Sequence, residues 1–256
     1  MIHATAIIDP SAVIGKNVEI GPYSIIGKNV VVGDECKIGP HVVIQGPTTI
    51  GRETQIFQFS SIGEVPQDKK YAGEETRLEI GERNVIREGC TFNRGTSQDK
   101  TVTRIGNDNW IMAYVHIAHD CEVGNNTILA NNVALAGHVS VGDYAILGGF
   151  TLVHQFCQIG AHCFTAMGSA VAKDIPPFVM ASGNPAKPYG LNTEGLKRRG
   201  YSADDIKAIK QAYKIIYRSG KTLDEARTDL SEIAKESSHV SSMLQFLQSV
   251  TRGIIR

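Results

Sequence analysis

From Ile8 to Ile62 an aliphatic residue stands at every sixth position without a slip: Ile8, Ile14, Ile20, Ile26, Val32, Ile38, Ile44, Ile50, Ile56 and Ile62. Gly usually follows it, as at Gly15, Gly21, Gly27 and Gly33, and a small or β-branched residue usually stands four places after it. The pattern returns at Ile80, Ile86 and Phe92, then runs after a one-residue shift from Ile105 to Ile159. A period of six fits neither the 3.6 residues of a helical turn nor a hairpin meander. It suits a parallel β-helix in which three hexapeptides form one triangular coil of 18 residues, about ten coils in all. The aliphatic residue points inward, where each buried Ile or Val contributes about 1.5–3 kcal/mol. Glycine is expected to free the backbone at or near each turn. Neighbouring coils then hydrogen-bond edge to edge about 4.8 Å apart.

Composition narrows the function classes. The 26 Lys and Arg balance the 26 Asp and Glu among 256 residues, so no strong field favours nucleic acid or an acidic bilayer surface. MIHATAIIDP lacks a basic region followed by a long apolar run, and no transmembrane-length apolar stretch occurs, which predicts a soluble, cytoplasmic protein. Five cysteines, an odd number, fit a reducing cytosol better than a disulfide framework. Cys36, Cys90, Cys121, Cys157 and Cys163 all fall four places after an inward aliphatic residue, so they read as filler of the coil wall. That reading removes Cys121 as a nucleophile.

Two segments break the period, 64–79 (EVPQDKKYAGEETRLE) and 93–104 (NRGTSQDKTVTR), and both read as loops thrown out from a coil. The repeat is expected to end after Val171, where PPFVMASGNPAKPYG leads out through Pro and Gly. Ser202-Ala-Asp-Asp205 opens a predicted helix to about Arg218, with Gly220 as its stop, and Thr222-Leu-Asp-Glu225 opens a second. A third amphipathic run spans about 240–251. The expected fold class is therefore mainly β: a parallel β-helix over 1–190, followed by a small α-helical domain over 191–256.

Stepping back 18 residues moves one coil along the axis, so the period also stacks polar side chains. His119 stacks over Gly137 and Gln155, Asp120 over His138, and Ala118 over Ala136 and His154. Three coils thus gather His119, Asp120, His138, His154 and Gln155 on one edge within about 10 Å, with His116 beside them. Zinc needs three or four converging ligands. Here Cys121 points into the wall and the histidine columns differ by one residue in phase, so no metal is assigned. A general base fits better, because imidazole titrates near neutrality and Asp120 can orient it. Adjacent residues of a straight strand face opposite ways, so this pairing requires a corner at 119–120.

The stretches QDKKY, HIAHDCEVG, NNVALAGHVSVGD, VHQFCQIGAH and NTEGLKRRG, in this order, closely resemble the UDP-N-acetylglucosamine O-acyltransferase family of hexapeptide-repeat enzymes, which begins lipid A synthesis. The resemblance covers both parts of the chain and implies a left-handed β-helix. It also implies transfer of an R-3-hydroxyacyl chain from acyl carrier protein to the 3-hydroxyl of UDP-N-acetylglucosamine, in a homotrimer with sites between subunits. No cofactor is implied beyond the phosphopantetheine of the carrier protein, the co-substrate. By the resemblance His119 is the general base, Asp120 its supporting carboxylate and the Gly137 N–H the oxyanion donor. Gln67, Asp68, Lys70, His116, His138, His154, Gln155, Asn192, Glu194 and Arg198 match positions that contact the nucleotide sugar or acylated product. Arg198 and Arg199 form a basic face for phosphate or the acidic carrier.

Two residues depart from the family pattern: Asn93 stands where His is common, and Lys69 stands where Leu precedes the loop lysine. The column Ala113, Asn131, Gly149, Met167 matches the family's acyl-length ruler. Members with Gly at its last position admit longer chains, so Met167 implies a medium chain of about C10. The rival readings are an N-acyltransferase or acetyl-coenzyme A-dependent relative, a zinc lyase of the carbonic anhydrase type, and a non-catalytic assembly module.

Overall fold

A computed structural model describes residues 1–256. Its first part is a triangular coil of three parallel sheets. The first sheet has nine strands, from Ile7–Ile8 to Ala170–Val171, and the second eight, from Val13–Ile14 to Gln158–Ile159. The third has ten, from Glu19–Ile20 to Lys187–Leu191. The inward residue of each hexapeptide makes the core. In the first sheet Ile26, Ile44, Ile62, Phe92, Ile117 and Leu135 are all fully buried.

The glycines work differently from the sequence expectation. The left-handed backbone of each corner falls three places after the inward residue, usually on a residue with a side chain, as at Asn17 (φ 55°), Asp120 (φ 58°) and His138 (φ 64°). The glycine directly after the inward residue is needed for close approach instead. A Cβ at Gly15 would lie 2.7 Å from the Asp34 nitrogen of the next coil, and one at Gly21 2.6 Å from the Pro40 nitrogen. Coils at hydrogen-bonding distance leave no room for it.

Both irregular segments leave the coil at the edge between the first and second sheets. The partner of Ile7 is Ile25, 18 residues on, but Ser61 pairs with Thr91 and Thr91 with His116. The insertions are shorter than the sequence indicated. Strand pairing continues through Glu64 and resumes at Arg77, then continues through Asn93 and resumes at Val102, leaving loops 65–76 and 94–101.

The coil also runs past Val171. Ile175 bridges Ile159, Val179–Ser182 pairs in parallel with Phe164–Thr165, and Lys187–Leu191 turns back antiparallel on it, so PPFVMASGNPAKPYG builds the cap of the β-helix. Helices α1 (Thr193–Arg198), α2 (Ala203–Tyr217), α3 (Leu223–Ala234) and α4 (Ser238–Ser249) follow. Ser202 with Asp205, and Thr222 with Glu225, form the two capping boxes read from the sequence. Helix α1 was not foreseen as a separate element. All five cysteines are buried and free, and burial pushes the Cys121 thiol up to about 12, which suits wall filler and not a nucleophile.

Candidate active site

The sequence FNRGT, which carries the second loop out of the coil, sets the floor of the site. Asn93 is buried, and its amide donates to the Val65 carbonyl at 2.8 Å, fixing the start of loop 65–76. The Arg94 guanidinium donates to the carbonyls of Gly46 (2.9 Å) and Gly63 (2.7 Å), crossing two coils. Gly95 passes the returning strand so closely that a Cβ would lie 2.2 Å from the Val102 nitrogen. Thr96 then reaches Asp120: its N–H lies 3.0 Å from both carboxylate oxygens, and its hydroxyl donates to Oδ2 at 2.7 Å.

Asp120 is fully buried at a left-handed corner, so its side chain turns back toward His119 as the pairing requires. His119 Nδ1 lies 2.9 Å from Asp120 Oδ2. Burial alone would raise the Asp120 carboxyl, but hydrogen bonds from His119 and Thr96 together hold it below the usual range, so it is ionised and accepts the Nδ1 proton. That leaves His119 Nε2 as the free lone pair. Beside it sits Gly137, where a Cβ would lie 2.5 Å from His119 Cε1 and 2.6 Å from Nε2. The stacking inferred from the sequence holds in the backbone, since His138 N–H donates to the His119 carbonyl (3.0 Å) and Phe156 N–H to that of Gly137 (3.1 Å).

A second histidine–carboxylate pair lies one coil on. His138 Nδ1 is 2.7 Å from Asp99 Oδ2 in loop 94–101, and its ring stands edge-on to His119 with centroids 5.0 Å apart and stacks on Phe156 at 4.3 Å. His116 is half-buried beside them, hydrogen-bonded through Nδ1 to Thr91 Oγ1 at 2.8 Å. Burial, with the His119 charge as a smaller cause, pushes its imidazole below the ordinary range. His154 and Gln155 are exposed further along, and His154 Nδ1 contacts its neighbour's carbonyl.

The single chain brings only part of the expected set together. Gln67, Asp68 and Lys70 lie in loop 65–76 at the edge that carries His119. Asn192 caps α1, Glu194 pairs with Lys197, and Arg199 reaches the Tyr144 carbonyl (3.2 Å) with its guanidinium over the Tyr144 ring. Tyr144 stands on the edge between the second and third sheets, so Arg198 and Arg199 belong to a different edge from His119. Met167 stands on the remaining edge, where it is exposed. Thr96, Asp99 and Thr103, whose hydroxyl accepts the Asp120 N–H at 2.8 Å, were not singled out from the sequence. The signal available was that loop 94–101 leaves the edge one coil before His119.

Residues 174–255 match the family model described as Udp N-acetylglucosamine O-acyltransferase, Domain 2, and residues 1–34 and 103–137 match bacterial transferase hexapeptide (six repeats). An acyl-[acyl-carrier-protein]–UDP-N-acetylglucosamine O-acyltransferase of Thiobacillus denitrificans is 62% identical over 255 residues, spanning 100% of this chain and 99% of the relative. The chain belongs to the UDP-N-acetylglucosamine O-acyltransferase family. Solved structures of UDP-N-acetylglucosamine acyltransferases superpose along its whole length. The Moraxella catarrhalis O-acyltransferase is 49% identical with a TM-score of 0.98, covering 100% of this chain and 99% of its own. The Arabidopsis acyltransferase is 37% identical with a TM-score of 0.86, covering 100% of both.

Within this O-acyltransferase the Asn93 departure falls on a buried position whose amide holds the start of loop 65–76. Lys69 is exposed in the same loop. The phase difference between histidine columns does not keep the rings apart, contrary to the sequence argument: ligand atoms of His119, Asp120 and His138 lie within 4.8 Å of one another. Within the cluster Asp120 Oδ2 is shared by His119 Nδ1 and the Thr96 hydroxyl, and His138 Nδ1 pairs with Asp99. No helix is long and apolar enough to cross a membrane.

Proposed function

We propose that this protein transfers an R-3-hydroxyacyl chain from acyl carrier protein to the 3-hydroxyl of UDP-N-acetylglucosamine, the first step of lipid A synthesis, with His119 as general base. The observation that carries this reading is the His119 ring, tied by Nδ1 to the ionised Asp120 and presenting Nε2 beside the backbone of Gly137. Nε2 takes the proton as the sugar oxygen attacks the thioester carbonyl. The Gly137 N–H, which donates to no group of the protein, receives the oxyanion, a contact worth about 3–4 kcal/mol. Collapse of the tetrahedral intermediate expels the phosphopantetheine thiolate, which takes the proton back from His119. No acyl-enzyme forms.

Gln67, Asp68, Lys70, His116, His138, His154, Gln155, Asn192, Glu194, Arg198 and Arg199 are assigned to substrate contacts. Because they stand on two different edges, one complete site needs two copies of the chain, in keeping with the homotrimer that the family resemblance implies. The outer faces support this. In the later coils, outward residues of the first sheet include Ala134, Leu152 and Ala170, and those of the third, beyond the polar Glu19, Lys37 and Gln55 of the early coils, include Trp110, Ile128, Ile146 and Phe164, whereas the second, beyond Val13 and Val31, carries Glu79, Arg104 and Glu122. Two apolar faces flanking one edge suit burial against other copies, and the charged face suits water.

Met167 is assigned as the residue that ends the acyl groove, selecting a chain of about C10. Purified protein assayed with UDP-N-acetylglucosamine and C10, C12 and C14 3-hydroxyacyl carrier proteins is expected to form the O-acyl product fastest with C10, and Met167→Gly to prefer a longer chain. No product with any carrier would defeat the activity assignment, and a C14 preference in the wild type would defeat the ruler alone.

A further inference from the structure

Loop 94–101 places adjacent residues against two parts of the site. Thr96, buried, gives both of its donors to the Asp120 carboxylate. The next residue, Ser97, donates its hydroxyl to Glu74 Oε1 at 3.0 Å. Glu74 organises the far end of loop 65–76: its other oxygen accepts the Ala72 N–H (3.0 Å) and its carbonyl accepts the Tyr71 hydroxyl (2.8 Å). Tyr71 N–H donates to the Asp68 carbonyl at 3.0 Å, and the Asp68 carboxylate accepts the Lys70 N–H at 3.0 Å. Two hydrogen-bonded segments, joined by the Thr96–Ser97 peptide bond and the Glu74 backbone, thus link the carboxylate that orients His119 to the loop that carries Gln67, Asp68 and Lys70.

We propose that Thr96 is a positioning residue for the acyl transfer, and that with Ser97 it couples the nucleotide-sugar loop to the His119–Asp120 pair. The proposal rests on the function assigned above. Asp120 has two oxygens to satisfy in a buried corner, and His119 engages only Oδ2. The bifurcated Thr96 N–H holds both carboxylate oxygens, and the Thr96 hydroxyl adds a second donor to Oδ2, the oxygen that His119 Nδ1 engages. Without the hydroxyl the carboxylate can rotate, and the imidazole loses its fixed orientation toward the reacting hydroxyl. Because Ser97 is the adjacent residue, a shift of loop 65–76 on binding the sugar nucleotide is transmitted to Thr96 over one peptide bond. The base is therefore best ordered when the acceptor is in place.

The test uses the full-length protein with UDP-N-acetylglucosamine and hydroxyacyl carrier protein. Thr96→Val, nearly isosteric but without the hydroxyl, is expected to lower kcat ~10- to 100-fold with little change in the acceptor KM. Thr96→Ser is expected to restore it, which a packing role for the methyl would not allow. Ser97→Ala is expected to raise the acceptor KM several-fold and to lower kcat, though less than Thr96→Val does. In an Asp120→Ala background Thr96→Val should add no further loss, since its effect passes through that carboxylate. Thr96→Ala serves where the valine disturbs folding. Wild-type kcat in Thr96→Val, or a full additional loss on top of Asp120→Ala, overturns the positioning role, and an unchanged KM in Ser97→Ala overturns the coupling. A wild-type protein without acyltransferase activity would instead overturn the function assignment itself, so the two failures are separable.

Discussion

The imidazole of His119 occupies the space a side chain at Gly137 would take: an added Cβ would lie 2.5 Å from Cε1 and 2.6 Å from Nε2. Glycine is needed there for the ring next to it and not for a special backbone angle. Gly137→Ala is therefore expected to push the ring off its position and to lower kcat/KM by about 100-fold, with only a small loss of stability. Steady-state kinetics and a thermal melt on the same preparation check this.

Asp120 sets which nitrogen of His119 carries the proton. Asparagine at 120 would keep the shape but can present its amide N–H to Nδ1, which puts the ring proton on Nε2 and removes the lone pair that acts as base. Asp120→Asn is expected to lower kcat by about 100-fold or more while the fold persists. Kinetics together with far-ultraviolet circular dichroism distinguish this from unfolding.

His162 stacks between Tyr144 and Phe178 and hydrogen-bonds the Tyr201 hydroxyl at 3.0 Å, where the β-helix meets the helices. Burial, and then the Arg199 and His239 charges, push its imidazole down to about 4 from 6.5. The unfolded chain binds this proton near pH 6.5 and the folded one only near 4. The contribution is therefore fully present above about pH 6.5 and is lost as pH falls to 4, at most about 3 kcal/mol. Urea unfolding between pH 7 and 4 should show stability falling with acid, and His162→Phe should flatten that slope.

If one site takes His119 from one copy and Arg198 from another, two inactive variants can complement each other. Co-assembly of His119→Ala with Arg198→Ala chains is expected to recover activity that neither has alone. Each mixed trimer would hold one intact site, about a quarter of wild-type activity for random assembly. Activity of mixed and separately purified samples at equal concentration checks this, and no recovery in mixed assemblies would place both residues in one copy's site.

Much of the architecture was legible because the hexapeptide period fixes register as well as fold. An 18-residue step placed His119 over Gly137 and Asp120 over His138, and the backbone hydrogen bonds follow that stacking. The helices announced themselves through Ser202 and Thr222, whose side chains make the expected capping boxes. What the period could not reach was whatever interrupts it. Thr96 and Asp99 lie in an insertion whose length carries no register, so nothing in the spacing places them on Asp120 and His138. The cap built from Val179–Ser182 and Lys187–Leu191 was hidden because its Pro and Gly residues read as an exit from the coil. The role of the wall glycines was misplaced for a different reason: close approach between coils is a property of packing, and the positive φ it was confused with is borne by residues such as Asp120.

The central claim is that His119 Nε2 removes the acceptor proton, and His119→Ala in the acyl-transfer assay tests it most directly. The expected result is a fall in kcat of about 100- to 10,000-fold, with UDP-N-acetylglucosamine still bound. Turnover near the wild-type rate in that variant would contradict the account.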